Sequence, residues 1–510
     1  MKGLQSIILS TVSLAAVVVA SPPLPSYNAP RAGPKFVTSE NLQRDISEQA
    51  LMKNLENLQK IADRNNGNRA FGLSGYAESV DFIKDRLEKH TATSTYYVQD
   101  FPGLFSIVES IDFTVSNVSY HVFGLTYSPS TSAAGLTLPL VLGPTGAPGC
   151  TVEGYAGFNV TGKIVLVERG TCPTGGTLAG RIRPAAAAGA AAVIIYNNVN
   201  AHTTAGTLSA PDPDHFVPGG FIDRVDGLPL VARITAGETI TAHFQQTQIV
   251  ETRISQNVIA ETKGGDPKNV LMLGAHLDSV QAGPGINDDG SGTTLILELF
   301  TALQSYQTNL KVRFAWWGAE ENGLVGSRYY TANMGTANVT NLLAYLNFDM
   351  VSKGFFGVFD GDGSTYGLVG PSGSEVIEKI FVDDLTSKGL SVTPAAFSGG
   401  SDYASFLDNL KKPVGGLFTG TGEAEDPCYH QACDTYANPN STVLAINAKT
   451  AAHVLATLAL NGKRLIPKAP VARSETIGET QLFAPRGLEW TDTADLEGQE
   501  GHAGSCGHDV

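Results

Sequence analysis

The stretch 269–292, NVLMLGAHLDSVQAGPGINDDGSG, runs from an apolar segment over 270–273 into a glycine-rich loop that presents His276, Asp278, Asp288 and Asp289. A strand that gives out into such a loop suits a ligand site at the carboxyl edge of a sheet, where strands hold still the loops that carry chemistry. Imidazole and carboxylate groups ligate metals or move protons. Taken alone, the stretch also reads as a polar turn in which Asp and Gly reverse the chain. A metal site needs further ligands from other strands.

Later segments end in the same way. The apolar run KVRFAWW (311–317) reads as a strand buried on both faces and is followed by Glu320 and Glu321. A second buried strand over 342–348 ends at Asp349, and His430, within DPCYHQACDT, follows a strand over 413–418. If these strands lie side by side, their carboxyl ends bring His276, Asp288, Glu321, Asp349 and His430 to one point. Imidazole nitrogen together with carboxylate oxygen suits zinc. Two histidines and three acids are too many for one zinc ion, and they fit two if a carboxylate bridges ions about 3.5–4 Å apart.

The elements that must position these groups form a mixed α/β pattern. Apolar residues at helical spacing, Leu51, Leu55, Leu58 and Ile61 among them, predict helices between 39 and 88, and β-branched residues over 94–123 predict strands. After the His/Asp loop, helices are predicted over 293–303, 326–333, 375–388, 402–407 and 442–460. Between these two α/β parts, 130–249 has a different texture. Short strands are expected over 136–142, 162–168, 191–196 and 230–234, with an Ala-rich helix over 181–190. The expected division is a first α/β part over 39–129, an insertion over 130–249, a second α/β part over 250–462, and a tail over 463–510 that reads as disordered.

The chain has 510 residues and a formal net charge of −15, which argues against nucleic acid or an anionic membrane as partner. Lys2, the apolar run after it and Val18-Val19-Ala20 read as a signal peptide over 1–20, with a pro-segment or flexible start over 21–38. That run is too short to span a membrane, so no anchor is expected. Four Asn-x-Ser/Thr sequons, at Asn117, Asn159, Asn338 and Asn440, fit a secreted glycoprotein, with a vacuolar destination as the alternative. In an oxidising compartment the local cysteine pairs, Cys150 with Cys172 and Cys428 with Cys433, are the simplest disulfides and leave Cys506 over.

The segments AHLDS, GPGINDDGSG, AEENGLVGS, NFDM and YHQACDT, in this order, resemble the di-zinc aminopeptidases of the aminopeptidase Y kind, among them secreted fungal leucine aminopeptidases. The run GKIVLVERGTCP, followed by AAAAGAAAVIIYNN, is similar to the protease-associated domain inserted in many secreted peptidases. The resemblance implies a zinc exopeptidase fold: a mixed β-sheet flanked by helices, with a β-rich insertion. It implies two Zn2+ ions, with Asp288 bridging, His276 and Asp349 completing one site, and Glu321 and His430 the other. Glu320 matches the general base acting on zinc-activated water, Tyr429 an oxyanion stabiliser, and Asp278 the carboxylate that orients His276. Asp289 and Asp402 read either as supporting residues behind the ligands or as structural residues only. The implied substrates are peptides with a free N-terminus, with Leu or another apolar residue first. A carboxypeptidase on this fold should supply Arg for the substrate carboxylate, and only Arg313 and Arg328 lie near these segments in sequence. A cyclase with one metal would not need five ligands, and a receptor-like protein with a dead site should have lost some.

Overall fold

The computed structural model describes residues 35–200, 202–203 and 206–468. The signal-like segment, most of the 21–38 segment, the tail beyond 468 and Cys506 lie outside the described residues.

Four parallel strands explain why the site residues meet. Asp266–His276 pairs in parallel with Leu310–Trp317 on one side and with Leu342–Phe348 on the other, and Leu342–Phe348 pairs in parallel with Val414–Phe418. Their carboxyl ends therefore open on one edge of the sheet. Within Leu310–Trp317, alternation sends Val312, Phe314 and Trp316 into one core and Ala315 and Trp317 into the other, all of them fully buried. The first core is closed by helices, including Glu48–Arg64, Gly290–Leu303 and Ser441–Leu465; the second by Val325–Asn333 and Tyr403–Leu410. Truncating a side chain such as Phe314 to Ala would cost about 3–5 kcal/mol.

Local signals set the helices. Ser47 caps Glu48–Arg64 by accepting from the N–H of Ala50, and the helix buries Leu51, Leu55, Leu58 and Ile61 at the spacing read from the sequence. Ser441–Leu465 is long and apolar enough to cross a membrane by length and composition, yet it buries Leu444, Ala448, Ala451 and Leu455 in the core of this fold. It continues five residues past the predicted end at 460.

The insertion is not hung on a linker. Ser94–Val115 and Ile240–Thr262 form one antiparallel ribbon, in register from Ser94 opposite Thr262 to Val115 opposite Ala242, with an irregularity between Val108 and Ser110. The ribbon carries the sheet of the four parallel strands into the strands Leu136–Leu142, Ile164–Glu168, Ala192–Tyr196 and Gly219–Ile222, so that among the described residues one mixed sheet has 14 strands. The insertion has cores of its own around Ile182 and Ile195 on one face and Phe113 and Ile194 on the other. The mixed sheet flanked by helices agrees with the sequence expectation. One element does not: 230–234, expected as a strand, lies within the helix Arg224–Thr235. Its apolar residues Leu230, Val231 and Ile234 suit one helical face as well as a short strand, and here Leu230 is buried against the sheet with the other two packed beside it. Both expected disulfides, Cys150–Cys172 and Cys428–Cys433, are formed.

Candidate active site

His276 is the last residue of its strand, Asp349 directly follows the strand Leu342–Phe348, and Glu320 and Glu321 follow Leu310–Trp317 after a short bend. Asp288 stands just before the helix Gly290–Leu303, and His430 comes from the loop closed by Cys428–Cys433. The backbone turns sharply at these points: Ala319, Met350 and His430 all have positive φ, at 55°, 53° and 56°. Non-glycine residues there cost of order 1 kcal/mol or more and persist where the surroundings fix them, commonly at functional sites.

The five predicted donors are brought together. Asp288 Oδ1 lies 3.1 Å from His276 Nε2, and its other oxygen, Oδ2, lies 3.2 Å from His430 Nε2. His276 Nε2 is 3.6 Å from Asp349 Oδ1, and His430 Nε2 is 3.0 Å from Glu321 Oε2. Asp288 thus faces two clusters with one oxygen each. Asp349 Oδ1 and Glu321 Oε1 are buried without a hydrogen-bond partner, which is unusual for native carboxylates and matches atoms that await a cation. The donor set of imidazole and carboxylate fits zinc.

The electrostatics point the same way. Burial opposes charge on His276, but the neighbouring acids Asp349 and Glu320 outweigh it and push the imidazole well above its usual range. His430, also buried, is pushed up to about 10, chiefly by Glu321. Burial, reinforced by Asp288, raises Glu321 to about 7, and burial together with Asp349 and Asp402 raises Glu320 well above its ordinary value. This is a site with more buried carboxylates than its own side chains can neutralise, so positive charge from outside the chain is favoured.

Around the donors, other residues fix geometry. The Asp278 carboxylate is 3.6 Å from His276 Nδ1 and accepts the N–H groups of Glu320 and Glu321 at 3.1 and 3.3 Å, tying two strand ends together. Asp289 caps Gly290–Leu303 through Gly292 N–H at 2.7 Å and also accepts the N–H of His276 and of Met350. Its side chain is a clamp between strand ends. Tyr429 stacks on His430 with ring centroids 3.8 Å apart and lines a pocket with Asp288, Glu320, Glu321, Asp349, Met350, Gly400 and His430. Asp402 is buried with neither carboxylate oxygen hydrogen-bonded, and burial raises it to about 7.

Three participants had no role in the sequence reading. Ser401 donates to Asp349 Oδ2 at 2.6 Å, and Asp434 accepts the N–H groups of Asn287 and Asp288 at 2.8 and 3.0 Å. Arg69, far away in sequence and fully buried, donates to carbonyls of the His/Asp loop. Asp434 lies inside a segment already singled out, whereas Arg69 and Ser401 carry no donor pattern that a sequence could display.

Residues 257–455 match the model of peptidase family M28, and residues 136–230 match the PA domain. Leucine aminopeptidase 2 of Trichophyton rubrum is 38% identical over 445 residues, covering 83% of this chain and 86% of that protein. The chain belongs to peptidase family M28. A probable leucine aminopeptidase 2 of Aspergillus fumigatus is 39% identical over 413 residues, covering 77% of this M28 chain and 79% of that protein. Among solved structures, an aminopeptidase from Aneurinibacillus sp. strain AM-1 superposes with a TM-score of 0.69 at 26% identity, covering 86% of this chain and all of that one. The enzyme class expected from the sequence, a zinc-dependent aminopeptidase, stands with that membership, and the insertion of the M28 chain is a PA domain.

Proposed function

We propose that this M28 aminopeptidase holds two zinc ions, one between His276 and Asp349 and one between Glu321 and His430, with Asp288 shared by both. The observation that carries this reading is that the two oxygens of Asp288 each face a different histidine, at 3.1 and 3.2 Å. When bound, zinc supplies Lewis acidity at the scissile carbonyl and at water. Glu320, buried and lining the pocket beside Glu321, takes a proton from the attacking water and returns it to the leaving amine. Tyr429, at the same pocket, donates its hydroxyl to the developing oxyanion.

The pocket lining offers no Lys or Arg to pair with a substrate carboxylate, which supports an aminopeptidase over a carboxypeptidase. Arg69 is near in space, but its guanidinium is buried and bonded to carbonyls, so it does not replace the arginine a carboxypeptidase needs. Leu or another apolar first residue is the proposed preference, supported by the names of the relatives. Secretion is proposed from the signal-like N-terminus, the two disulfides and four sequons whose asparagines are exposed. Metal analysis should give two zinc ions per chain, and a Leu-amide should be hydrolysed while an N-acetylated peptide is left intact. Cleavage of the blocked peptide alone would overturn the aminopeptidase reading.

A further inference from the structure

The loop between His276 and Asp288 is seated in the core near its ends by Leu277 and Ile286, both fully buried, but the stretch between them is mostly polar or small, and the two residues that flank the loop must keep one spacing for a shared metal site. Arg69 lies against this loop, with 0% of its surface exposed. Its Nε donates to the carbonyl of Pro284 at 2.9 Å, its Nη2 to that of Gly285 at 2.6 Å, and its Nη1 to that of Leu277. Leu277 is the residue after His276, and Gly285 stands three before Asp288. One planar group thus grips both ends of the loop. The backbone adds to it: Arg69 N–H donates to Ser279 Oγ at 2.9 Å.

Two further observations agree. Gly285 has φ +61°, and a Cβ there would come within 2.3 Å of the Asp288 carbonyl oxygen, so the loop is drawn tightly together where Arg69 holds it. Asp278, Asp434, Asp289 and Asp288 are all near enough to favour the guanidinium charge, so this buried cation also offsets part of the carboxylate excess. Only Arg presents several donors in a fixed plane; Lys is a point charge that cannot hold three carbonyls in set directions.

We propose that Arg69 is a positioning residue that sets the spacing between His276 and Asp288 and so the affinity of the site for zinc. The inference rests on the proposed metal ligands. The test compares the full-length wild type, Arg69→Lys and Leu87→Ala, a buried residue of the helix Ser74–Leu87 that serves as a control for general destabilisation. Zinc affinity is measured by competition with a chromophoric chelator, and folding of the metal-free chains by circular dichroism. Arg69→Lys should bind zinc at least about ten-fold more weakly than the Leu87→Ala control, the loss typical when a group that supports metal ligands is removed. Its cobalt-loaded form should also differ from the wild type in visible absorption, a change that a remote loss of stability would not produce. Affinity within about two-fold of the control, with an unchanged cobalt spectrum, would overturn the proposal. If Arg69→Lys does not fold, Arg69→Gln decides instead: its shorter amide cannot reach all three carbonyls that the guanidinium holds, and zinc affinity within about two-fold of the Leu87→Ala control there overturns the proposal. A wild type that fails to bind two zinc ions would sink the metal-site reading itself, which is a different result.

Discussion

Ser401 donates a 2.6 Å hydrogen bond to Oδ2 of Asp349, which leaves Oδ1 of the same carboxylate buried without a partner and 3.6 Å from His276 Nε2. One oxygen is anchored and the other is aimed. The anchor is itself held: Asn347 donates to Ser401 Oγ at 2.8 Å, Tyr345 to Asn347 at 3.0 Å, and Trp317 to Tyr345 at 2.9 Å. The aim of Asp349 is therefore set by a chain of buried groups on a loop and on the two strands that flank Asp266–His276.

Removing that anchor should loosen one metal position more than the other. Ser401→Ala is expected to weaken the zinc ion proposed between His276 and Asp349 by about 10- to 100-fold while leaving the enzyme active at saturating zinc. Stepwise chelator titration with activity followed in parallel checks this. Equal zinc release curves for variant and wild type would mean that Asp349 is aimed by something else.

Adjacent glutamates should behave differently. Glu320→Gln keeps the shape of the pocket but cannot accept a proton, so turnover should fall by about 10²–10⁴-fold with zinc content unchanged. Glu321→Gln should lose turnover together with one of the two zinc ions, because its unpartnered oxygen is among those that await a cation. Zinc analysis beside kcat separates the two. Near-normal turnover in Glu320→Gln would remove it from the role of base.

Much of this site was legible because metal chemistry restricts residue types, and parallel strands place their last residues at one edge. His276, Asp349 and the Glu320–Glu321 pair stand out as the donors at or just beyond the end of an apolar run. Arg69 and Ser401 do not. Ser401 acts on the Asp349 carboxylate from 52 residues away and Arg69 on loop carbonyls from more than 200 residues away, and no spacing rule links either to the donors. The ribbon of Ser94–Val115 with Ile240–Thr262 was partly visible as β-rich sequence, but its length was not, since a strand passing from one core to another changes burial pattern midway. The helix Arg224–Thr235 replaces the strand expected over 230–234 because Leu, Val and Ile in five residues satisfy either period.

Glu298 offers a test of buried charge away from the metal donors. It is 7% exposed on Gly290–Leu303, and its Oε1 accepts the N–H of Ser47, the cap of Glu48–Arg64, at 3.0 Å. Burial raises its carboxyl above the ordinary range, against the lowering effect of the Ser47 bond. A carboxyl with a raised folded-state pKa favours the protonated form in the folded chain. Its contribution to stability is present below the unfolded pKa of about 4.3 and is lost as pH rises through the folded value. Glu298→Gln keeps the acceptor without the charge, so it should melt at a higher temperature than wild type at pH 7, and the gap should close as pH falls below about 4. A constant gap from pH 4 to 8 would show that packing, and not ionisation, separates the two proteins.

The loop Cys428–Cys433 carries Tyr429 and His430 between its sulfurs, and His430 sits at positive φ within it. A bridge across so few residues stabilises the fold modestly; chain-entropy reasoning gives about 2 kcal/mol. Its larger effect should be local, because His430 is the one proposed ligand that stands on a loop remote from any strand end or helix start. Without the bridge, the loop keeps the Tyr429–His430 stacking and its turn hydrogen bonds, such as Tyr429 N–H to the Asp426 carbonyl at 3.1 Å, but the imidazole is held less tightly at its approach to Asp288 Oδ2 and Glu321 Oε2. Cys428→Ala with Cys433→Ala should therefore weaken zinc binding and raise KM at temperatures where the chain remains folded. Removing Cys150 and Cys172 in the same way should lower the melting temperature, by the loss of about 3 kcal/mol for its longer loop, and leave zinc affinity alone. Chelator competition on the two variants side by side is the check. Equal loss of zinc affinity in both would show that disulfides act here only through global stability, and equal affinity to wild type in both would show that stacking and the neighbouring strands suffice to hold His430.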